Sequence, residues 1–97
     1  MTPFEAIAEP SRRRLLELIG NGERAAGELV DASGLSQPGV SKHLRHLREA
    51  GLVVVRADGQ RRLYRVDTGK IAEVGAWVQQ FWANRLDALD RHLEREQ

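Results

Sequence analysis

The sequence predicts a mainly helical fold with one small β-hairpin, and three observations lead to this prediction. Apolar residues recur at helical spacing over most of the chain, and prolines, capping residues and glycines mark where helices begin and end. Between residues 52 and 66 the pattern changes to the alternation of β-strands, with Asp58-Gly59 as a turn signal. The length of 97 residues suits one domain, spanning residues 1–97, with little stability to spare.

Three helices are predicted in the first third of the chain. The first covers residues 4–8 and ends before Pro10, because the residue that precedes a proline disfavours helical backbone. The second covers residues 10–19, and the third covers residues 24–32 and ends near Gly34.

Three consecutive arginines, Arg12, Arg13 and Arg14, begin the second helix. Three neighbouring residues span about 200° of helix surface, so these arginines cannot form one contact patch. We expect them to be solvated or ion-paired. A peripheral phosphate contact or a contact within a dimer is the alternative.

A fourth helix, over residues 36–50, is predicted from its caps and its apolar stripe. Ser36 is a good N-cap, Pro38 suits the first turn, and Gly51 suits the position after the last turn. At 100° per residue, three apolar residues face a core: Val40, Leu44 and Leu47. The short glycine-containing connection to the preceding helix forces the two helices to cross steeply, as in a helix-turn-helix.

Two strands, over residues 52–56 and 61–66, follow this helix and form the predicted hairpin. If Asp58-Gly59 forms the two-residue turn, Arg56 lies directly opposite Arg61 and the two repel. Phosphates that lie beside the tip of the hairpin would offset this repulsion. A charged edge that prevents strand-to-strand aggregation is the alternative explanation.

The charge of the chain is concentrated in its middle third. The net formal charge is only +1, but residues 36–66 carry seven basic against two acidic side chains, a net +5, and each flanking third carries −2. Such a concentration is typical of a surface that binds a polyanion such as DNA. The candidate DNA-binding residues are Gln37, Pro38, Ser41, Lys42, His43, Arg45, His46, Arg56, Arg61 and Arg62.

A last helix is predicted after a cap at Asp67-Thr68 and runs to about residue 94, and it is longer than a small core requires. Its apolar stripe is also wider than such a core covers, so we expect a second copy of the chain to bury it. A ligand pocket lined by its aromatic residues is the alternative. The candidate dimer residues are Phe4, Ile71, Val74, Trp77, Val78, Phe81, Trp82, Leu86 and Leu89.

Several functional classes fit the sequence poorly. The chain has no cysteine, and therefore no disulfide, thiolate metal site or cysteine redox switch. It has no phosphate-cradling glycine motif, separated carboxylate pair or activated nucleophile, so we expect neither an enzyme nor a cofactor. No run of eighteen apolar residues and no signal peptide is seen, which predicts a cytoplasmic protein without a membrane partner.

Three segments resemble the ArsR family of bacterial winged-helix transcriptional repressors, over nearly the full chain: AEPSRRRLLELI, GELVDASGLSQPGVSKHLRHLREAGLV and VVVRADGQRRLYRV. The resemblance implies a winged helix-turn-helix that dimerises through its terminal helices and binds double-stranded DNA at an inverted-repeat operator. Gln37, Ser41 and Lys42 match positions where the family contacts bases or phosphates, and residues 56–62 match its wing. The alternative function is a winged helix that binds protein or RNA without recognising an operator.

The sequence departs from the metal-sensing members of that family. Ala25 and Gly27 stand where many members carry a Cys-x-Cys motif, which excludes thiolate sensing. Asp90 and His92 read Asp-x-His, but the further ligands of the family's zinc site are missing from the sequence. His43, three residues before His46, has no third ligand nearby, so we expect no metal site, and the sequence assigns no inducer.

Overall fold

The computed structural model describes the backbone of residues 1–96 and the side chains of residues 1–90. Within that part of the chain, five helices and three strands follow one another in the order α1 (Pro3–Ala8), α2 (Pro10–Ile19), β1 (Glu23–Ala25), α3 (Ala26–Ser33), α4 (Gln37–Glu49), β2 (Val53–Asp58), β3 (Arg61–Val66) and α5 (Thr68–Glu96). The strands form an antiparallel sheet in the order β1-β3-β2. This is the mainly helical winged helix-turn-helix that the sequence predicts.

The hydrophobic core lies between α2, α3, α4 and the inner face of the sheet. The inward stripe predicted for α4 is confirmed, since Val40, Leu44 and Leu47 are each at most 1% exposed. Burial of one such side chain stabilises the fold by about 1.5–3 kcal/mol. The largest fully buried side chains are Leu15, Leu29, Leu44, Leu47, Leu52, Val40 and Val53.

The bounds of α4 follow from its caps, as the sequence predicts. The Ser36 hydroxyl accepts a hydrogen bond of 3.1 Å from the backbone N–H of Gly39. At the other end Gly51 has a φ of 80°, a left-handed backbone that favours glycine. These caps hold the outward-facing side chains of α4 in a defined orientation.

The predicted helix over residues 24–32 is wrong at its start. Residues 23–25 form β1, which pairs with β3 and places Ala25 opposite Leu63. Ala25 keeps an extended backbone and donates its N–H to the Glu28 carboxylate at 3.1 Å, so that α3 begins only at Ala26. Pairing with a distant strand overrides the local helical spacing, which a single stretch of sequence does not reveal.

The predicted register of the hairpin is also wrong. The two loop residues are Gly59 and Gln60, because Asp58 pairs with Arg61 and Arg56 pairs with Leu63. Gly59, with a φ of 63°, takes the first loop position, where a left-handed backbone is required. The expected opposition of two arginines is thereby replaced by an ion pair of 3.1 Å between Asp58 and Arg61.

Helix α5 leaves the core and makes the molecule elongated. Its 29 residues correspond to about 43 Å of helix, and the molecule measures 66 × 24 × 22 Å. Asp67 caps its start by accepting a hydrogen bond of 3.1 Å from the backbone N–H of Lys70. Within the described residues, α5 and the other helices lack a stretch long and apolar enough to cross a membrane.

Candidate nucleic-acid interface

The first half of α4 presents polar side chains to solvent. Gln37, Pro38, Ser41 and Lys42 are all exposed, whereas Val40 between them is buried. Gln37 and Ser41 together line a hollow of about 340 Å³ between α3 and α4. The N-terminal end of the helix therefore offers an amide and a hydroxyl, the types of side chain that hydrogen-bond to base edges and phosphates.

A larger concave surface, here called the basic groove, lies between α4 and the hairpin. Its volume is about 680 Å³, and its floor includes Leu44 and Tyr64. Residues 25–28, at the end of β1 and the start of α3, form one side of the groove. Helix α4 and the hairpin form the other sides and contribute Ser41, Arg45, Arg48, Gln60, Arg61 and Arg62. The structure thus brings together predicted DNA-binding residues that lie about twenty positions apart in the sequence.

The arginines of the basic groove differ in their ion pairing. Arg61 is held by Asp58 at the tip of the hairpin. Arg45, Arg48 and Arg62 form no ion pair with any carboxylate in the described part of the chain. Within the described residues their charges are therefore uncompensated, which leaves the three guanidiniums available to an external anion.

Arg56 lies outside the basic groove, on the outer face of the sheet. Its guanidinium donates two hydrogen bonds to the Glu23 carboxylate, of 2.7 Å and 3.0 Å. The hydrogen bond from Arg56 holds the pKa of Glu23 below its ordinary value, and the same contact raises the pKa of Arg56. Three arginines, Arg56, Arg61 and Arg62, were predicted for the wing. Among the described residues, only Arg62 both lines the basic groove and forms no ion pair.

The two histidines of α4 point toward the α1–α2 junction. His43 Nδ1 is buried without a hydrogen bond within the described residues, 3.9 Å from a Glu9 carboxylate oxygen. His46 Nδ1 lies 3.4 Å from the Arg12 guanidinium. Burial, and then the positive charges of Arg12 and Arg45, lower the pKa of His46 and favour its neutral form. The structure does not bring either ring into the basic groove.

The three consecutive arginines take three different roles. Arg12 is 9% exposed and donates hydrogen bonds to the carbonyl oxygens of Ala6, at 2.7 Å, and Glu5, at 3.1 Å. Arg13 donates to two further carbonyls at the end of α1, and Arg14 forms an exposed ion pair with a neighbouring glutamate of α2. The expected solvated or ion-paired role fits Arg14, whereas Arg12 is a structural link between helices.

Arg48 and Gln60 belong to the basic groove but were not among the residues predicted for DNA binding. At 100° per residue, Arg48 lies within about 60° of Ser41 and Arg45 on α4, so helical spacing could have identified it. Gln60 enters through the actual hairpin register, which places it at the second loop position. The sequence carries no comparable signal for Gln60.

Potential metal ligands do not gather in the described part of the structure. No three His, Asp or Glu side chains among those residues are arranged to hold an ion. His92, which completes the Asp-x-His pattern with Asp90, lies outside the residues whose side chains are described.

An exposed apolar face runs along α5 and continues onto α1. Phe4 meets Trp77 edge to face at 5.1 Å between ring centroids, and Phe81 lies 5.4 Å from Trp77. Trp77 is 56% exposed and Trp82 is 57% exposed. The other exposed members are Val78, Leu86 and Leu89, whereas Ile71, Val74 and Phe81 are half-buried. The structure brings the predicted dimer residues of both terminal helices together.

Comparison with known proteins identifies the family. A model of a helix-turn-helix domain family matches residues 7–56. The chain is 39% identical over 87 residues to a probable mercury resistance operon repressor of Streptomyces lividans, an alignment that covers 90% of this chain and 70% of the relative. A crystal structure described as a possible transcriptional regulator for arsenical resistance shares 42% identity with a TM-score of 0.80, covering 92% of this chain and 93% of that chain.

A third relative is a homodimeric winged helix-turn-helix DNA-binding domain from Mycobacterium bovis, solved by solution NMR and described as a possible ArsR-family transcriptional regulator. It shares 32% identity with a TM-score of 0.67 and covers 86% of this chain and 77% of that chain. The family model spans more than half of the 97 residues, and the element order described above is that of a winged helix-turn-helix. The chain belongs to the ArsR family of winged helix-turn-helix transcriptional regulators, which are DNA-binding proteins.

Proposed function

We propose that the protein is a homodimeric repressor that binds an inverted-repeat operator in double-stranded DNA. Helix α4 enters the major groove, and the hairpin of β2 and β3 lies beside it as the wing. The protein acts in the cytoplasm, where its DNA target lies. The observation that carries this proposal is the continuous surface from Gln37 through Ser41 to Arg45 and Arg62, which form no ion pair among the described residues.

The residues of this surface divide by the chemistry they offer to DNA. Gln37 and Ser41, at the start of α4, are placed to hydrogen-bond to base edges. Lys42, Arg45 and Arg62 are exposed cations and contact phosphates, which position the protein without reading sequence. Sequence preference therefore depends on the first turns of α4, and affinity depends on the cations around it.

The exposed apolar face of α5 supports a dimer of two copies of this chain. Six large apolar side chains on α1 and α5, Trp77 and Trp82 among them, are at least 38% exposed, and water contact with such a continuous patch is unfavourable. The Mycobacterium bovis relative is described as homodimeric. Two-fold symmetry of the protein then matches an inverted repeat, with half-sites about one helical turn apart.

Selection of bound sequences from random duplexes tests the DNA-binding part of the proposal. We expect one inverted-repeat motif to be enriched, with binding that weakens steeply as salt rises. Lys42→Ala should reduce the slope of log affinity against log salt, whereas Gln37→Ala should relax the enriched motif more than it lowers affinity. Arg14→Ala removes a distant cation and serves as the control for net charge. No enriched motif and no salt dependence would contradict the proposal.

A reporter gene tests repression itself. With the selected motif placed over a promoter, expression of the protein should lower reporter output, and scrambling one half-site should restore it. Unchanged or increased output from the intact motif would rule out repression.

The dimer is tested separately, by adding a charge to the exposed apolar face. Trp82→Glu places a carboxylate within this face and should yield monomers in light scattering. Gln80→Glu adds the same charge about 160° away around the helix and should leave the dimer intact. A dimer that survives Trp82→Glu at low micromolar concentration would exclude this face as the interface.

A further inference from the structure

We infer that Arg12 is a positioning residue for DNA binding. It fixes the exposed apolar face of the proposed dimer relative to α4, and it thereby restricts the spacing of half-sites that the dimer accepts. The inference rests on the proposed function and deepens it, because it names the contact that sets the geometry of operator recognition. Arg12 is buried on α2 and belongs neither to the basic groove nor to the exposed apolar face.

The first argument is that α1 joins the exposed apolar face to the rest of the domain. Phe4 on α1 meets Trp77 of that face at 5.1 Å between ring centroids, and α1 packs against both α2 and α4. Ile71, near the start of α5, packs against the core, whereas Trp77 further along α5 meets α1. A shift of α1 therefore moves the exposed apolar face, and with it the partner subunit, relative to α4.

The second argument is that α1 depends on α2 for its position. Helix α1 has only six residues, and an isolated helix needs about 12–15 residues to be stable in water. Arg12 donates from Nε to the Ala6 carbonyl at 2.7 Å and from Nη2 to the Glu5 carbonyl at 3.1 Å. Arg13 donates to the next two carbonyls, at 2.8 Å and 3.0 Å. Two side chains of α2 thus bind the last carbonyls of α1, which lack partners within their own helix.

The third argument is that the same guanidinium reaches α4. Its Nη1 lies 3.4 Å from His46 Nδ1. Burial and the positive charge of Arg12 lower the pKa of His46, so the ring stays neutral and its Nδ1 can accept a hydrogen bond. A guanidinium is planar and its donors keep fixed relative directions. Contacts from one such group to α1 and to α4 therefore restrict how the two helices are oriented relative to each other.

The spacing of half-sites reports the distance and the angle between the two α4 helices of a dimer. A shift of one half-site by one base pair moves it by about 3.4 Å along the duplex and rotates it by about 34° around the axis. A dimer in which α1 holds each α4 firmly fits one spacing well. A dimer in which this attachment is loosened fits neighbouring spacings more nearly equally.

The test uses inverted repeats of the selected half-site at the selected spacing and at spacings one base pair shorter and longer. The spacing preference is the affinity for the selected spacing divided by the affinity for the shifted spacings, measured where light scattering finds dimers. We expect Arg12→Met to lower this preference at least about twofold, and Arg13→Met to lower it by a smaller factor. The half-site sequence that each variant selects should stay the same, because the outward side chains of α4 are unchanged.

Two controls separate positioning from a general loss of stability. Leu29→Ala removes a fully buried side chain from α3 and destabilises the core, but it leaves both arginines and their bonds to α1 in place. Arg14→Met removes the third arginine of the same run, which pairs with Glu17 within α2. Both controls should keep the spacing preference of the wild type.

The outcomes separate this inference from the proposed function. If the wild type binds no duplex, the proposed function fails. If it binds the inverted repeat equally well at every spacing, or if both Arg12→Met and Arg13→Met keep the wild-type preference, only the positioning role fails. Arg13→Met decides the question if Arg12→Met does not fold. An equal loss of preference in Leu29→Ala and Arg12→Met would also overturn the inference, because loosening of the whole fold would then explain both.

Discussion

Arg12 stabilises the junction of α1 and α2, and replacing it by Met should be costly. Its guanidinium donates hydrogen bonds of 2.7 Å to the Ala6 carbonyl and 3.1 Å to the Glu5 carbonyl. Both carbonyls lie in the last turns of α1, where backbone acceptors have no partner within the helix. Methionine keeps much of the aliphatic volume of the side chain but removes every donor, so these acceptors lose their partner in a buried site.

The magnitude follows from the two hydrogen bonds. A hydrogen bond from a charged group contributes about 1.5–3 kcal/mol. Methionine also removes the desolvation penalty of a buried charge, which offsets part of this loss. We therefore expect Arg12→Met to lower the free energy of unfolding by about 2–4 kcal/mol. A domain of this size has about 5–15 kcal/mol in total, so the midpoint of urea unfolding should fall clearly while the slope m stays unchanged.

The neighbouring arginines provide matched controls. Arg13→Met loses exposed hydrogen bonds to carbonyls and should cost about 0.5–1.5 kcal/mol, and Arg14→Met loses an exposed ion pair of 3.9 Å and should cost less than about 0.5 kcal/mol. Urea unfolding is compared at one fixed protomer concentration, because dimerisation shifts apparent stability. Equal losses for all three substitutions, or a loss below about 0.5 kcal/mol for Arg12→Met, would refute the structural role of Arg12.

Three further predictions concern the turn, the core and pH. Gly59→Ala places a Cβ on a left-handed backbone and should lower the free energy of unfolding by about 1–2 kcal/mol. Gly22→Ala lies at an exposed position without positive φ and should lower it less in the same urea assay. Leu15→Ala removes a fully buried side chain and should cost about 2–5 kcal/mol, measured by thermal unfolding. The lowered pKa of His46 means that its contribution to stability is fully present above its ordinary value of 6.5 and is lost as pH falls through the lower folded value. His46→Gln should therefore lose less stability than the wild type between pH 7.5 and 5, and a larger loss in the variant would contradict the effect of burial and of the neighbouring Arg12 on the pKa of His46.

Part of the candidate site could be predicted from the sequence because it depends on one helix. The caps at Ser36 and Gly51 and the spacing of the apolar residues define α4, and these determine which of its side chains face outward. Gln37, Ser41 and Arg45 were identified in this way. Arg48 follows from the same spacing, although its importance appears only when the hairpin forms the opposite wall of the groove.

Other residues of the predicted site could not be placed from local sequence, because their partners come from distant elements. Glu23 on β1 neutralises Arg56, and it reaches Arg56 only because β3 lies between β1 and β2. Similarly, His46 lies beside Arg12 at the α1–α2 junction, a contact between residues 34 positions apart in the chain. Such pairings change which cations are available to an external anion, even though the net charge stays the same.

The sequence by itself determined the helices with strong caps, the presence of a hairpin, the basic middle third and the excess apolar surface of α5. These properties depend on spacing and composition within short stretches of chain. Only the tertiary structure decided the third strand, the register of the hairpin, the roles of Arg12 and Arg56, and the joining of α4 and the hairpin into one groove. The physical reason is that strand pairing and ion pairing depend on which segments meet in space, and residues far apart in the chain carry no local signal of that meeting.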